Sequence, residues 1–139
     1  MKQEDKKLLL KDLCCRLPYG IKAQVKYPIN TNGECIITTK EITSVNCGLD
    51  MVQAENIDII VGYYIFEVKP YLFPLSSMTE EKWKEFDQLL ELELKAINDE
   101  IDHTQATAFE IDFYNKHHLD WRGLIPKGLA IDATNKNIY

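Results

Sequence analysis

The sequence predicts an α+β domain: a short N-terminal helix, a small antiparallel sheet or half-barrel of four or five strands, two helices and a closing C-terminal segment. Three observations predict it. Between about residues 21 and 68, short apolar and β-branched segments with two-residue alternation are separated by turn residues. Near Pro74 the apolar spacing changes to helical steps of three and four. No segment between the early strands is long enough for a helical crossover, so neighbouring strands are expected to run antiparallel. A chain of 139 residues is the size of one domain. No repeat, low-complexity tract or linker divides it, and residues 1–139 are read as a single domain.

The first element is a helix over 5–17. Leu10, Cys14 and Leu17, with Leu13 beside them, form its apolar stripe, and Pro18 and Gly20 stop it. Residues 21–27 read as a strand. Ile21, Ala23, Val25 and Tyr27 face one side, and Lys22, Gln24 and Lys26 face the uncovered side or an edge. Asn32 and Gly33 supply a tight hairpin turn, and 34–39 is the return strand. Further strands are expected over 49–54, 57–61 and 63–68, with turns at 46–48 and 55–56.

Pro70 and Pro74 make 69–74 a stiff exit from the sheet. A helix then spans about 79–97, with Trp83, Phe86, Leu90, Leu94 and Ile97 as its stripe, widened by Leu89 and Leu92. Ser77 with Glu80 fits a capping box, and Thr79 is a rival N-cap. A connection over 98–102 leads to a second helix over about 104–118, carrying Ala106, Phe109 and Phe113 on one face. The two helices are expected to cover one face of the sheet. Residues 129–133 alternate and close the fold as a strand.

Composition excludes several function classes. The net charge is −6, and the whole excess of acids lies in residues 79–139. That half repels phosphate backbones, so general nucleic-acid binding is not expected. No apolar run approaches the ~18 residues that cross a bilayer. The apolar patch at Leu8, Leu9 and Leu10 is too short for a signal peptide. The cysteines at 14, 15, 35 and 47 contain no C-x-x-C pair, and they read as reduced core thiols of a cytoplasmic protein.

Three segments carry a resemblance. They are Leu17-Pro18-Tyr19-Gly20-Ile21-Lys22, then Lys69-Pro70-Tyr71-Leu72-Phe73-Pro74-Leu75-Ser76-Ser77-Met78-Thr79-Glu80-Glu81, then residues 115–130 with Asn115-Lys116-His117-His118, Asp120 and Arg122-Gly123-Leu124-Ile125-Pro126-Lys127-Gly128-Leu129-Ala130. In this order the chain resembles a group of small uncharacterised proteins of Bacteroides-type gut bacteria and their phages and prophages. In that group the position of Leu119 is more often aromatic and that of Trp121 is often Tyr. The group brings no activity with it. The resemblance implies a phage or mobile-element setting in a bacterial cytoplasm, where accessory proteins often bind host components or blunt host defence.

The strongest polar constellation is His117, His118, Asp120 and Arg122, with Glu110 and Tyr114. On a continuous helix Glu110, Tyr114, His117 and His118 share a face. Imidazole beside carboxylate suits acid–base chemistry or ligand binding. Adjacent histidines point about 100° apart on a helix, so they are a poor metal pair, and no metal or other cofactor is expected. The structural alternative is a helix C-terminus, where His meets the dipole, followed by an Asp120–Arg122 pair holding the turn. Residues 123–128 lack the Lys-Ser/Thr of a nucleotide-binding P-loop, yet Arg122, Lys127 and exposed N–H groups suit a small anion.

Glu80, Glu81, Glu85, Asp87, Glu91 and Glu93 read as a solvated helix face, and His103 as an exposed residue in a polar turn. The run Tyr63-Tyr64-Ile65-Phe66 reads as a core strand with one exposed aromatic. The expected function is therefore a non-enzymatic binding protein whose surface is the 121–128 loop and adjoining sheet. It would sequester a host factor or a small phosphorylated signal, with Arg122, Lys127, His117, His118, Trp121 and Tyr114 as ligand residues. One rival is a small hydrolase-like enzyme using His117 or His118 with Asp120. Another is a structural subunit that forms a homo-oligomer.

Overall fold

The computed structural model describes residues 1–28, 33–54, 62–96 and 103–139. The expected strand over 57–61, the turn at 55–56, Asn32 of the hairpin turn, the connection over 98–102 and Ile97 of the helical stripe lie outside the described residues. So do the side chains of Leu94, His103 and Ala106.

The architecture is α+β, as the change of period predicts. Helix α1 (Gln3–Arg16) runs into a 3₁₀ turn (Leu17–Tyr19), and the strands follow: β1 (Lys22–Pro28), β2 (Cys35–Asn46), β3 (Met51–Ala54), β4 (Gly62–Tyr64) and β5 (Val68–Leu72). Helices α2 (Glu80–Ala96) and α3 (His103–Lys116) precede the short strand β6 (Ile131–Asp132). The sheet is open, in the order β4-β3-β2-β1-β5-β6. All its pairings are antiparallel except β5 with β6, which run parallel. The intervening α2–α3 segment is the long crossover that a parallel pair requires.

Two strand expectations are corrected. The segment 69–74 is not an exit: residues 68–72 form β5, an inner strand between β1 and β6. Pro70 is tolerated there because β6 pairs only with Tyr71 and Leu72, so that neighbour asks no N–H of Pro70. The expected strand over 63–68 is instead broken by a 3₁₀ turn at Ile65–Glu67. This leaves two exposed aromatics, not one: Tyr63 and Ile65 are buried, while Tyr64 and Phe66 face solvent.

The main core forms where α1 crosses one sheet face. Leu9, Leu10 and Leu13 meet Ile21, Ala23, Val25, Ile42, Val52, Ile65, Val68 and Leu72. The alternation in β1 is correct at Ile21, Ala23 and Val25 and fails at Tyr27, which is exposed. On α1 the buried face is Leu9, Leu10, Asp12, Leu13 and Arg16; of the expected stripe Leu10 and Leu13 are buried, Leu17 is half-buried, and Cys14 lies outside it, exposed. Cys47 is also exposed, and Cys15 and Cys35 are half-buried, so none of the four is a core thiol.

Helices α2 and α3 do not cover the sheet face with α1. They build a second, smaller cluster of Met78, Phe113 and Leu119 with Phe73, Phe86, Leu89 and Tyr114. Thr79 is the N-cap of α2, its Oγ1 accepting the Lys82 N–H at 3.3 Å, while the Ser77 hydroxyl donates to the Pro74 carbonyl. The six acids expected to be solvated are all exposed. No helix among the described residues is long and apolar enough to cross a membrane.

Candidate functional site

The end of α3 decides where the candidate residues go. The His118 N–H donates to the Asn115 carbonyl at 3.1 Å, and the Leu119 N–H donates to the Tyr114 carbonyl at 2.8 Å. His118 itself has φ +54°. This is a helix-terminating Schellman arrangement with histidine in the left-handed position. The helix ends before both histidines share a face, and the expected Glu110–Tyr114–His117–His118 surface does not form as a unit. Its surviving contact is the Tyr114 hydroxyl donating to Glu110 Oε1 at 2.5 Å.

The two imidazoles therefore part. The His117 ring lies 4.3 Å from that of Phe113, with Nε2 3.7 Å from Glu85 Oε1 on α2. Burial lowers its pKa against the opposing effect of Glu85. His118 is buried and stacks on Tyr139, with ring centroids 4.0 Å apart and planes inclined 14°. Desolvation, then the positive charges of Arg16, His117 and Lys22, push its pKa down to about 4. The Tyr139 hydroxyl donates to the Tyr71 carbonyl and accepts the Lys22 N–H, so this stack is pinned to the sheet. The C-terminal segment thereby covers Lys22, whose ammonium also donates to the Ile138 carbonyl at 2.7 Å.

Asp120 orients neither histidine. Its carboxylate oxygens accept the N–H groups of Leu124 (2.7 Å) and Ile125 (2.8 Å), an acidic cap on the turn that follows. Gly123 and Gly128 take positive φ (+69° and +70°), conformations that glycine adopts without steric cost. The loop is anchored: Leu124, Leu129 and Ala130 join the main core, and only Pro126, Lys127 and Gly128 are exposed.

The Arg122 Cζ lies over the Trp121 ring, 3.9 Å from its centroid, and the Trp121 Nε1–H donates to Asn115 Oδ1. The guanidinium Nε is 3.3 Å from Asp12 Oδ1 on α1. Asp12 is the centre of a buried knot absent from the sequence reading. It receives Arg16 Nε at 2.8 Å and Arg16 Nη2 at 3.1 Å, both side chains being fully buried. Arg16 also donates to the carbonyls of Leu119 and Tyr114. The knot ties α1 to the exit of α3 and unites the two apolar clusters. Its only sequence signal is the i,i+4 spacing of Asp12 and Arg16 beside Leu9 and Leu13, a pattern that ordinarily marks a surface pair.

Chemically, this region binds its own carboxylates to its own cations and N–H groups. Three side-chain nitrogens among the described residues are buried without a hydrogen bond: His117 Nε2, His118 Nδ1 and Arg122 Nε. Among the described residues no group of three or more His, Cys, Asp or Glu side chains is placed to hold a metal ion. Elsewhere, among the described residues, a cavity of about 670 Å³ lies at the β2–β4 end, lined by Ser44, Asn46, Leu49, Met51, Gln53 and Gly62 among others. A Cβ at Gly62 would collide with the Met51 methyl, so glycine there lets Met51 lie across the strand. Beside this end the Tyr64 and Phe66 rings stack at 5.5 Å, inclined 6°, at 54% and 56% exposure. No family model matches the chain, and no curated protein or solved structure matches it.

Proposed function

We propose that this chain is a non-enzymatic binding protein whose partner is another protein, docked at the β2–β4 end of the sheet. The observation that carries the reading is the stacked, solvent-facing pair of Tyr64 and Phe66. Two rings left in water forgo the burial that makes aromatics dominant in cores, and such side chains are the usual anchors of protein contacts. Leu49, at 63% exposure, and Met51, opposite Tyr64 in the strand register, extend the apolar surface along one rim of the cavity. The resemblance to proteins of gut bacteria and their phages favours a host factor as partner and counteraction of host defence as the role. The hydrolytic alternative has less support, because Asp120 commits its oxygens to the loop rather than to His117 or His118.

Site-specific photo-crosslinking in the expressing bacterium tests this. A photoreactive residue in place of Phe66 is expected to trap one discrete heterologous protein, a reactive residue in place of exposed Lys136 is expected to trap none, and Tyr64→Ser is expected to reduce the yield at position 66. Adducts of the chain with itself would reassign the surface to a homo-oligomer. No adduct at position 66 would remove the docking reading.

A second reading takes the α3 exit as the site of a small phosphorylated ligand held by Arg122, whose Nε makes no hydrogen bond although Asp12 Oδ1 lies 3.3 Å away, and by Lys127 at the exposed loop tip. Native mass spectrometry of protein purified from its host decides it. A retained anion that is lost in Arg122→Gln supports the site, and a bare mass dismisses it.

A further inference from the structure

We propose that Cys14 and Cys47 form a modification site, a thiol pair that a small-molecule disulfide converts to a disulfide joining α1 to the β2–β3 turn. Their Sγ atoms lie 3.8 Å apart although 33 positions separate them in sequence. Both thiols are free and exposed, so an oxidant reaches them. The other two cysteines have different neighbours: Cys15 Sγ is 3.7 Å from Arg122 Nη2, and Cys35 Sγ is 3.5 Å from the Gly33 carbonyl.

A second contact keeps the pair in register. Lys6 Nζ meets Asp50 Oδ2 at 3.1 Å, clasping the same helix to the same turn. Between the two contacts lies a cleft of about 400 Å³ lined by Leu10, Lys7, Lys11, Cys14, Cys47 and Asp50 among others, which admits a small disulfide beside the sulfurs. Closing to the ~2.05 Å of an S–S bond brings the two sulfurs about 1.8 Å nearer than they now lie.

The chemistry balances as ordinary exchange. A thiolate attacks one sulfur of the small disulfide, breaking its S–S bond and releasing one thiol. The second cysteine then attacks the mixed disulfide and releases the other thiol. The protein loses two hydrogens and two electrons, and the small disulfide gains them. Burial and the neighbouring Cys47 raise the pKa of the Cys14 thiol to about 11; either thiolate can make the first attack, and the other resolves the mixed disulfide. In a reducing compartment the pair rests as thiols and closes only when the small-disulfide pool rises. The link clamps α1 to the turn, narrows the cleft and restrains the unfolded chain.

The test is incubation of the native protein in a glutathione redox buffer, alkylation of remaining thiols and peptide mapping. The expected result is a Cys14–Cys47 cross-linked peptide, an intact mass lower by two hydrogens and a Tm that rises and is reset by reductant. Cys14→Ser is expected to leave glutathione attached to Cys47, while Cys15→Ser and Cys35→Ser leave the cross-link intact. Wild-type protein that stays unmodified, retains glutathione on either cysteine, or joins Cys47 to Cys15 would overturn the assignment.

Discussion

Helices α1 and α2 are built to opposite rules. Helix α2 has the cleaner apolar stripe, yet none of its described side chains is buried, and Trp83 and Leu92 are exposed. Helix α1 mixes charge into its inner face, yet buries Leu9, Leu10, Asp12, Leu13 and Arg16. The difference is what each helix lies against. Helix α1 covers the broad face of a sheet, whereas α2 meets the single helix α3 through the Phe86 ring, which lies 5.1 Å from Phe113 and 5.6 Å from Phe109. A stripe reports the capacity to be buried, and the area of the partner determines how much of it is used.

The comparison breaks first at Arg16. Arg16→Ala leaves Asp12 buried beside Arg122 alone and frees two carbonyls, so unfolding in urea is expected to show a loss of about 3–5 kcal/mol. Leu13→Ala on the same face opens a cavity in the main core and is expected to cost about 2–5 kcal/mol. Acid separates the α3 exit from both helices. The His118 pKa is about 4 in the fold, below the ordinary ~6.5 of the unfolded chain. The neutral ring is therefore favoured by folding, and its contribution, fully present above pH ~6.5, is lost as pH falls through ~4, up to about 3 kcal/mol. His117 shifts in the same direction. His118→Asn keeps a residue that accepts positive φ and is expected to flatten much of this acid limb in a pH series of melting temperatures.

Smaller effects follow at the loop and on α2. Asp120→Ala removes the acceptor of the Leu124 and Ile125 N–H groups and is expected to cost about 2 kcal/mol, with faster amide exchange at those two positions. Leu92→Ala is expected to change stability by no more than about 0.5 kcal/mol. A cost there approaching that of Leu13→Ala would mean that α2 is covered after all and would undo the contrast.

The candidate site was legible only in part. The helix exit expected as the alternative at His117 and His118 agrees with the Schellman geometry, but the Asp120–Arg122 pair expected with it does not form, because Arg122 meets Asp12 instead. Asp120 was singled out for its proximity to the histidines, but local N–H groups claimed it, because a carboxylate at the mouth of a turn finds donors within five residues. Asp12 and Arg16 stayed hidden because an i,i+4 acid–base pair looks the same whether solvated or buried. The exposed Tyr64 and Phe66 were masked by a run that reads as one strand, since nothing in its composition announces the 3₁₀ turn.

Local chemistry carried in the chain sufficed for the α+β class, the β1 alternation at Ile21, Ala23 and Val25, the capped start of α2 and the glycine-bounded turn near 123–128, because each depends on residues within a few positions of one another. The parallel seat of β6, the inner place of β5, the Asp12–Arg16–Arg122 knot and the meeting of Cys14 with Cys47 had to await the assembled molecule. Each joins segments tens of residues apart, and no short-range spacing records which distant surface a side chain will meet.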